Sequence, residues 1–159
     1  MTAMHLGKLF EDIIELDRQN FCQVRGVRGS EFNERIVREI LIKNHLDDSL
    51  LIFLYQNSLL ASYLRFSLFE RALTVESFQI RGGYQYTPFE MLRKTHEKLS
   101  CLDFDLVKSE IYIGNSRALK FNLKLGLSIY NSAQGKWYLS TDKQTFLDSI
   151  QRYIKPKAV

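Results

Sequence analysis

Cysteine, proline and histidine are scarce in this chain, at 2, 2 and 3 of 159 residues. Cys22 and Cys101 stand far apart, with no Cys-x-x-Cys and no nearby histidine pair, which argues against a disulfide framework and a zinc module. His5, His45 and His96 are scattered, so no metal site is expected. Long apolar runs are missing too. Leu50–Tyr55 is far too short to cross a bilayer, and no basic segment followed by an apolar signal core opens the chain. A soluble, cytoplasmic protein is expected, with no membrane partner. Linkers, internal repeats and low-complexity tracts are also lacking. With 45% apolar and 25% charged residues, positions 1–159 read as a single domain with a sizeable core.

What is present is unevenly charged. Residues 1–80 carry 9 Lys/Arg against 11 Asp/Glu, whereas residues 81–159 carry 13 against 7. The basic half favours an anionic partner: a phosphorylated cofactor, an acidic carrier protein or nucleic acid. Its basic residues are spread singly rather than gathered into a stripe, which ranks nucleic acid last.

Leu9, Phe10, Ile13, Ile14 and Leu16 recur at helical spacing, predicting an amphipathic helix from about Leu6 to Phe21. Ser30 reads as the N-cap of a second helix carrying Phe32, Ile36, Val37, Ile40 and Leu41. Leu50–Gln56 and Leu59–Phe69 flank Asn57-Ser58 and predict a hairpin, and Ala72–Ile80 a third strand. Gly82-Gly83 breaks that strand. Thr87-Pro88-Phe89-Glu90 reads as a capping box, with Thr87 at N-cap, Pro88 at N1 and Glu90 at N3, opening a helix that buries Phe89, Leu92 and Leu99. Leu106–Ile113 reads as a strand, and a helix capped at Asn115 or Ser116 stops at Gly126. Ser128–Asn131 and Trp137–Ser140 predict a hairpin across Ala133-Gln134-Gly135. Thr141–Gln144 then caps a last helix burying Phe146, Leu147, Ile150 and Ile154.

Within this order, Asn115, Ala118, Phe121, Lys124, Leu125, Gly126 and Leu127 resemble the Asn, small, aromatic-Tyr, Lys-Leu-Gly, apolar pattern of the GNAT superfamily of N-acetyltransferases. Asn122 stands at the family's Tyr. The element order also resembles that family, apart from its opening strand, for which Met4-His5-Leu6 alone is available. The resemblance implies an α/β (α+β) GNAT-like acyl-CoA N-acyltransferase fold, a mixed and mostly antiparallel sheet flanked by helices, with an extra C-terminal helix.

It further implies an acyltransferase that moves an acyl group from acetyl-CoA or another acyl-CoA to a primary amine, without a metal. Ile80 to Glu90 corresponds to the family's pyrophosphate loop, so Gly82, Gly83, Tyr84, Gln85, Tyr86 and Thr87 are the expected cofactor-binding residues, with Arg81 or Arg93 supplying charge. The loop departs from the family pattern. Pro88 removes an amide donor, and Glu90 places a carboxylate where phosphates would lie. The backbone of Phe78, Gln79 and Ile80 would pair with the pantetheine, assisted by Asn115. Glu76 is the expected base; Asn122 has no titratable proton and could only orient a donor or water. Glu110 and Tyr112 alternate with Ile111 and Ile113, and either pair could face the cleft. Arg25 and Arg28 fall in the region that shapes the acceptor site in the family. Two other functions fit the same residues: transfer from an acidic acyl carrier protein, or a non-catalytic GNAT-like binding or regulatory module. Exposed strand edges are compatible with a homodimer.

Overall fold

Three two-residue turns organise the sheet, and each needs both of its residues in the left-handed region. Asn57 and Ser58 (φ 50° and 62°) join β1 (Leu51–Gln56) to β2 (Leu59–Phe69), and Glu70 and Arg71 (46° and 64°) join β2 to β3 (Ala72–Ile80). Gln134 and Gly135 (53° and 73°) join β5 (Ser128–Ala133) to β6 (Lys136–Asp142). Turns of this hand match the twist of the strands they connect, so they close tight hairpins. The computed structural model describes residues 3–21, 50–84 and 87–155. The helix expected around residues 30–41, together with Cys22, Arg25, Arg28 and His45, lies outside the described residues.

The described helices are α1 (Ala3–Phe21), α2 (Thr87–Ser100), α3 (Ser116–Lys124) and α4 (Lys143–Ile154), with β4 (Leu106–Tyr112) between α2 and α3. Met4-His5-Leu6 lies within α1 and forms no opening strand. The six strands are ordered β1-β2-β3-β4-β6-β5, antiparallel throughout except for β3 and β4. No described helix is long and apolar enough to cross a membrane.

Alternation along the strands divides the apolar residues between two faces. Leu64, Phe66, Leu73, Val107, Ile111 and Leu139 join Met91, Leu92 and Leu99 of α2 and Phe146, Leu147 and Ile150 of α4 in the larger core. On the other face, Leu60 and Tyr63 of β2 pack under Leu9, Ile13, Ile14 and Leu16 of α1. Polar contacts register α1 there, among them Tyr63 Oη donating to Asp17, Tyr55 Oη donating to Asp12 at 2.6 Å, and Asn20 Nδ2 donating to Gln79 Oε1 at 2.8 Å.

Three local expectations change. Phe89 is 45% exposed, because α2 buries Thr87, Met91, Leu92, Thr95 and Leu99, and Phe89 sits about half a turn from both Thr87 and Met91. Thr87 is itself the first residue of α2, and its buried Oγ1 has no hydrogen-bond partner, so it does not cap the helix. The last helix is capped by Asp142, not Thr141: its carboxylate accepts from Thr145 N at 2.8 Å and Thr145 Oγ1 at 2.7 Å. An ionised acceptor makes the stronger cap, and Thr141 remains in β6.

Asn115 caps α3 as expected, accepting from Ala118 N at 3.1 Å. At the other end Leu127 N donates to Asn122 O (3.2 Å) and Gly126 N to Leu123 O (3.1 Å), the paired bonds of a Schellman stop with Gly126 at φ 85°. A Cβ on Gly126 would lie 2.7 Å from Ser149 Oγ and 3.0 Å from Thr145 Cγ2. Gly126→Ala is therefore expected to destabilise the protein by roughly 1–3 kcal/mol, through backbone strain and crowding of α4. Urea denaturation would check this; an unchanged midpoint would refute it.

Burial lifts the Asp17 carboxyl to about 6, against the opposing Tyr63 hydrogen bond and Arg65 charge. A carboxyl that holds its proton more tightly when folded contributes stability below its unfolded value of about 3.9, and loses it as pH rises through the folded value. Between about pH 4 and 6 the wild type should thus lose stability relative to Asp17→Asn, by an amount of the order of 3 kcal/mol. Parallel urea curves for both proteins at several pH values would read the difference; identical pH profiles would exclude it.

Candidate active site

β3 and β4 pair over four residues, Ala72–Val75 with Leu106–Ser109, and then part. The cause lies in β3. Val75 pairs with Phe66 and Ser77 with Arg65, leaving Glu76 as the extra residue of a β-bulge. Beyond it, β3 follows β2 while Glu110–Tyr112 follow β6, and a gap opens between the strands.

Backbone groups alternate in direction along a strand, so which of them face the gap can be worked out. Arg81 N donates to Ala61 O of β2 at 2.8 Å. Gln79 therefore also faces β2, and its carbonyl accepts from Ser62 Oγ at 2.7 Å. Phe78 and Ile80 face the gap. Of the three residues expected to present backbone there, Gln79 is turned away, and the Ile80 carbonyl already accepts from Asn20 Nδ2 at 3.2 Å. The N–H groups of Phe78 and Ile80 and the Phe78 carbonyl are left for the gap.

The chain leaves the mouth of the gap through Gly82, Gly83 (φ 87°) and Tyr84 and enters α2 at Thr87. Gln85 and Tyr86 lie outside the described residues. The first N–H groups of a helix have no partner inside it, and here Thr87 and Phe89 supply them, since Pro88 has none. The expectation that Thr87 and Glu90 would satisfy these amides themselves is corrected. Thr87 Oγ1 is unpartnered, and Glu90 makes no side-chain hydrogen bond among the described residues. The positive end of α2 and a spare buried hydroxyl thus stand together at the mouth. The two expected arginines differ: Arg81 bonds only to uncharged oxygens and keeps its charge at the end of β3, whereas Arg93 is paired with an acid. Arg81 donates to Leu60 O (2.9 Å) and Gln19 Oε1 (3.1 Å), and Arg93 pairs with Glu97 one turn along α2.

Helix α3 forms the other wall. Its Phe121 ring packs 4.8 Å from that of Phe78. Asn115 Oδ1 is occupied by the cap, while Asn122 is buried with Nδ2 donating to Ala118 O at 2.9 Å, held back against its own helix. Arg117, Lys120 and Lys124 are exposed at three- and four-residue spacing, so these three, expected to be spread singly, gather into a short basic stripe on α3. On β4, Ile111 is in the core, whereas Glu110 and Tyr112 are exposed. Lys136 Nζ donates to Glu110 at 3.0 Å and lies 5.3 Å from the centre of the Tyr112 ring.

Glu76 is exposed, and its carboxylate accepts from Ser67 Oγ across the bulge. Beside it on the α1 face lie Arg65 and Ser77, the latter 2.9 Å from Tyr63 Oη. Arg65, absent from the expected site residues, has a buried Nη1 without a partner. It is the one charged residue of β2, a strand otherwise apolar or hydroxylic, and that isolation was the available signal. A separate depression of about 410 Å³, lined by Leu51–Phe53 and by Lys94, Glu97 and Lys98 of α2, lies at the far edge of the sheet, two strands from the gap.

No protein-family model and no curated protein matches this sequence. Solved structures do. The nucleotide-linked sugar GNAT FdhC superposes with a TM-score of 0.67 at 17% identity, over 91% of this chain and 86% of that one. The PaiA N-acetyltransferase of Thermoplasma acidophilum, solved with coenzyme A, gives 0.62 at 10% identity, over 85% and 93%. The ribosomal-protein-alanine N-acetyltransferase of Brucella melitensis gives 0.63 at 8% identity, over 84% and 93%. The mixed six-stranded sheet, its single parallel pair among the described strands, and these likenesses lead to one conclusion: this chain has the fold of the GNAT N-acetyltransferases.

Proposed function

We propose that the protein is an acyl-CoA-dependent N-acyltransferase, moving an acyl group from acetyl-CoA or another acyl-CoA to a primary amine. One observation carries the reading: a gap between parallel strands with free backbone groups on one wall and, at its mouth, a helix N-terminus that Thr87 and Glu90, among the described residues, do not cap. Ligands of α/β sheets settle where neighbouring strands diverge at their C-terminal ends, and free amides with a helix dipole attract phosphate. Coenzyme A in the PaiA structure agrees with that class of donor.

In this reading Gly82, Gly83, Tyr84 and Thr87, with Gln85 and Tyr86, hold the pyrophosphate. Phe78 and Ile80 pair with the pantetheine amides, and Asn115 stands at the opposite wall. The thioester supplies an activated carbonyl. Glu76 accepts the proton released as the amine nitrogen bonds to the carbonyl carbon, and the Phe78 N–H donates to the carbonyl oxygen as it gains charge. The departing sulfur takes its proton from water, because Asn122 has none to give. The basic stripe of Arg117, Lys120 and Lys124 supports a second reading, in which the acyl donor is an acidic carrier protein docking on α3.

Isothermal titration calorimetry with acetyl-CoA tests the first reading, with expected binding in the micromolar range that weakens at least about tenfold for an acetyl-pantetheine lacking the nucleotide. Undetectable binding of both would overturn it. Association with an acyl-loaded acidic carrier that disappears by about 0.3 M salt would then favour the second. Once an acceptor is found, Glu76→Gln should lower kcat/KM by roughly 10²–10³ with acetyl-CoA affinity unchanged; full activity in the variant would remove Glu76 as the base.

A further inference from the structure

Arg65 poses a problem that the acyl-transfer reading does not resolve. Its Nη1 is buried and makes no hydrogen bond, although a guanidinium donor left unmet is among the costlier omissions in a folded protein. The acids nearby do not satisfy it. Asp17 reaches over from α1, but its carboxyl is engaged by the Tyr63 hydroxyl and feels Arg65 through charge alone. Glu76, in the bulge opposite Arg65 and Phe66, is engaged by Ser67. Ser77, the register partner of Arg65, shares its hydroxyl with Tyr63 and accepts from Gln79 at 3.3 Å.

A buried, unpartnered guanidinium donor and an exposed carboxylate therefore stand side by side on one face of the β2–β3 pair, unpaired with each other, Glu76 on the strand whose backbone lines the gap. Facing residues on neighbouring strands have Cβ atoms about 5 Å apart, and diagonal ones about 7–8 Å. A molecule with one or two carbons between its cation and its anion bridges that span. We infer that Arg65 and Glu76 form a subsite for a free amino acid, the carboxylate supplying the partner that the buried Arg65 donor lacks and the amine lying toward Glu76 and the gap. A monoanion suits the site better than a dianion, since Asp17 and Glu76 already place acidic groups on that face. As the acceptor of acyl transfer, this ligand rests on the proposed function; as a binding site, it does not.

Calorimetry with the twenty common L-amino acids, each beside its primary amide, and with O-phosphoethanolamine, tests the inference on the full chain. At least one amino acid is expected to bind, with its amide weaker by about tenfold or more. Arg65→Gln should abolish that preference, while Arg65→Lys, which keeps the charge without the fork, retains part of it. Circular dichroism of both variants controls for folding. The assignment is overturned if no amino acid binds, if amides bind as well as acids, if Arg65→Gln keeps the preference, or if phosphoethanolamine binds tighter than every amino acid. Acetyl-CoA binding without any amino-acid preference would sink this site alone. An amino-acid preference in a protein that binds no acetyl-CoA would sink acyl transfer and leave the site standing.

Discussion

The single extra residue in β3 is the constraint on which the rest of the site depends. Were β3 regular, its alternation would continue through Ile80, and pairing with β4 could run the full length of both strands. Glu76 interrupts that. Val75 and Phe78 both reach the larger core although they are three residues apart, which only an inserted residue permits. The same insertion turns the backbone of Phe78 and Ile80 toward β4 at the point where β4 has already left. An unpaired stretch of backbone in the middle of a sheet is costly unless something completes it.

The two walls are held by different physics. Apolar burial fixes the wall formed by α2, α3 and α4, with the tilted, contacting rings of Phe78 and Phe121 at its edge. The α1 face is polar where it approaches the bulge: Asp17, Asn20, Tyr63, Ser77 and Gln79 bond to one another beneath the helix. Buried polar groups must find partners, so this network specifies how α1 sits in a way that the apolar residues beside it cannot. Arg65 borders that network without joining it by a hydrogen bond.

Much of the architecture was legible in the sequence because local chemistry decides it. Asn57-Ser58, Gln134-Gly135, the Asn115 cap and the Gly126 stop each act within a few residues, and the elements they delimit fall where the residues indicated. Relations between strands were not legible. Nothing near Glu76 marks a bulge, because it arises from the mismatch between two strands rather than from either one. For that reason the direction of Gln79 could not be read, and the aim of Glu110 and Tyr112 depended on which face of β4 the helices cover. The Thr87 capping box failed for a related cause: the motif was present, but tertiary packing drew Thr87 into the interior. Asp142 was overlooked beside a motif that suited Thr141. Arg65 was visible as a lone charge, yet a sequence does not say whether such a charge has found a partner.

The three tight turns and the short β3–β4 ladder also bear on how the molecule assembles. β1, β2 and β3 meet through turns of two residues, and so do β5 and β6, whereas β3 must find β4 across a loop and the whole of α2. Closing the longer loop costs more chain entropy, and contacts distant in sequence reward that cost late. The sheet is thus two ribbons, β1-β2-β3 and β4-β6-β5, joined by four rungs. The gap is the seam of that joining, so its shape depends least on either ribbon and most on how the two are brought together.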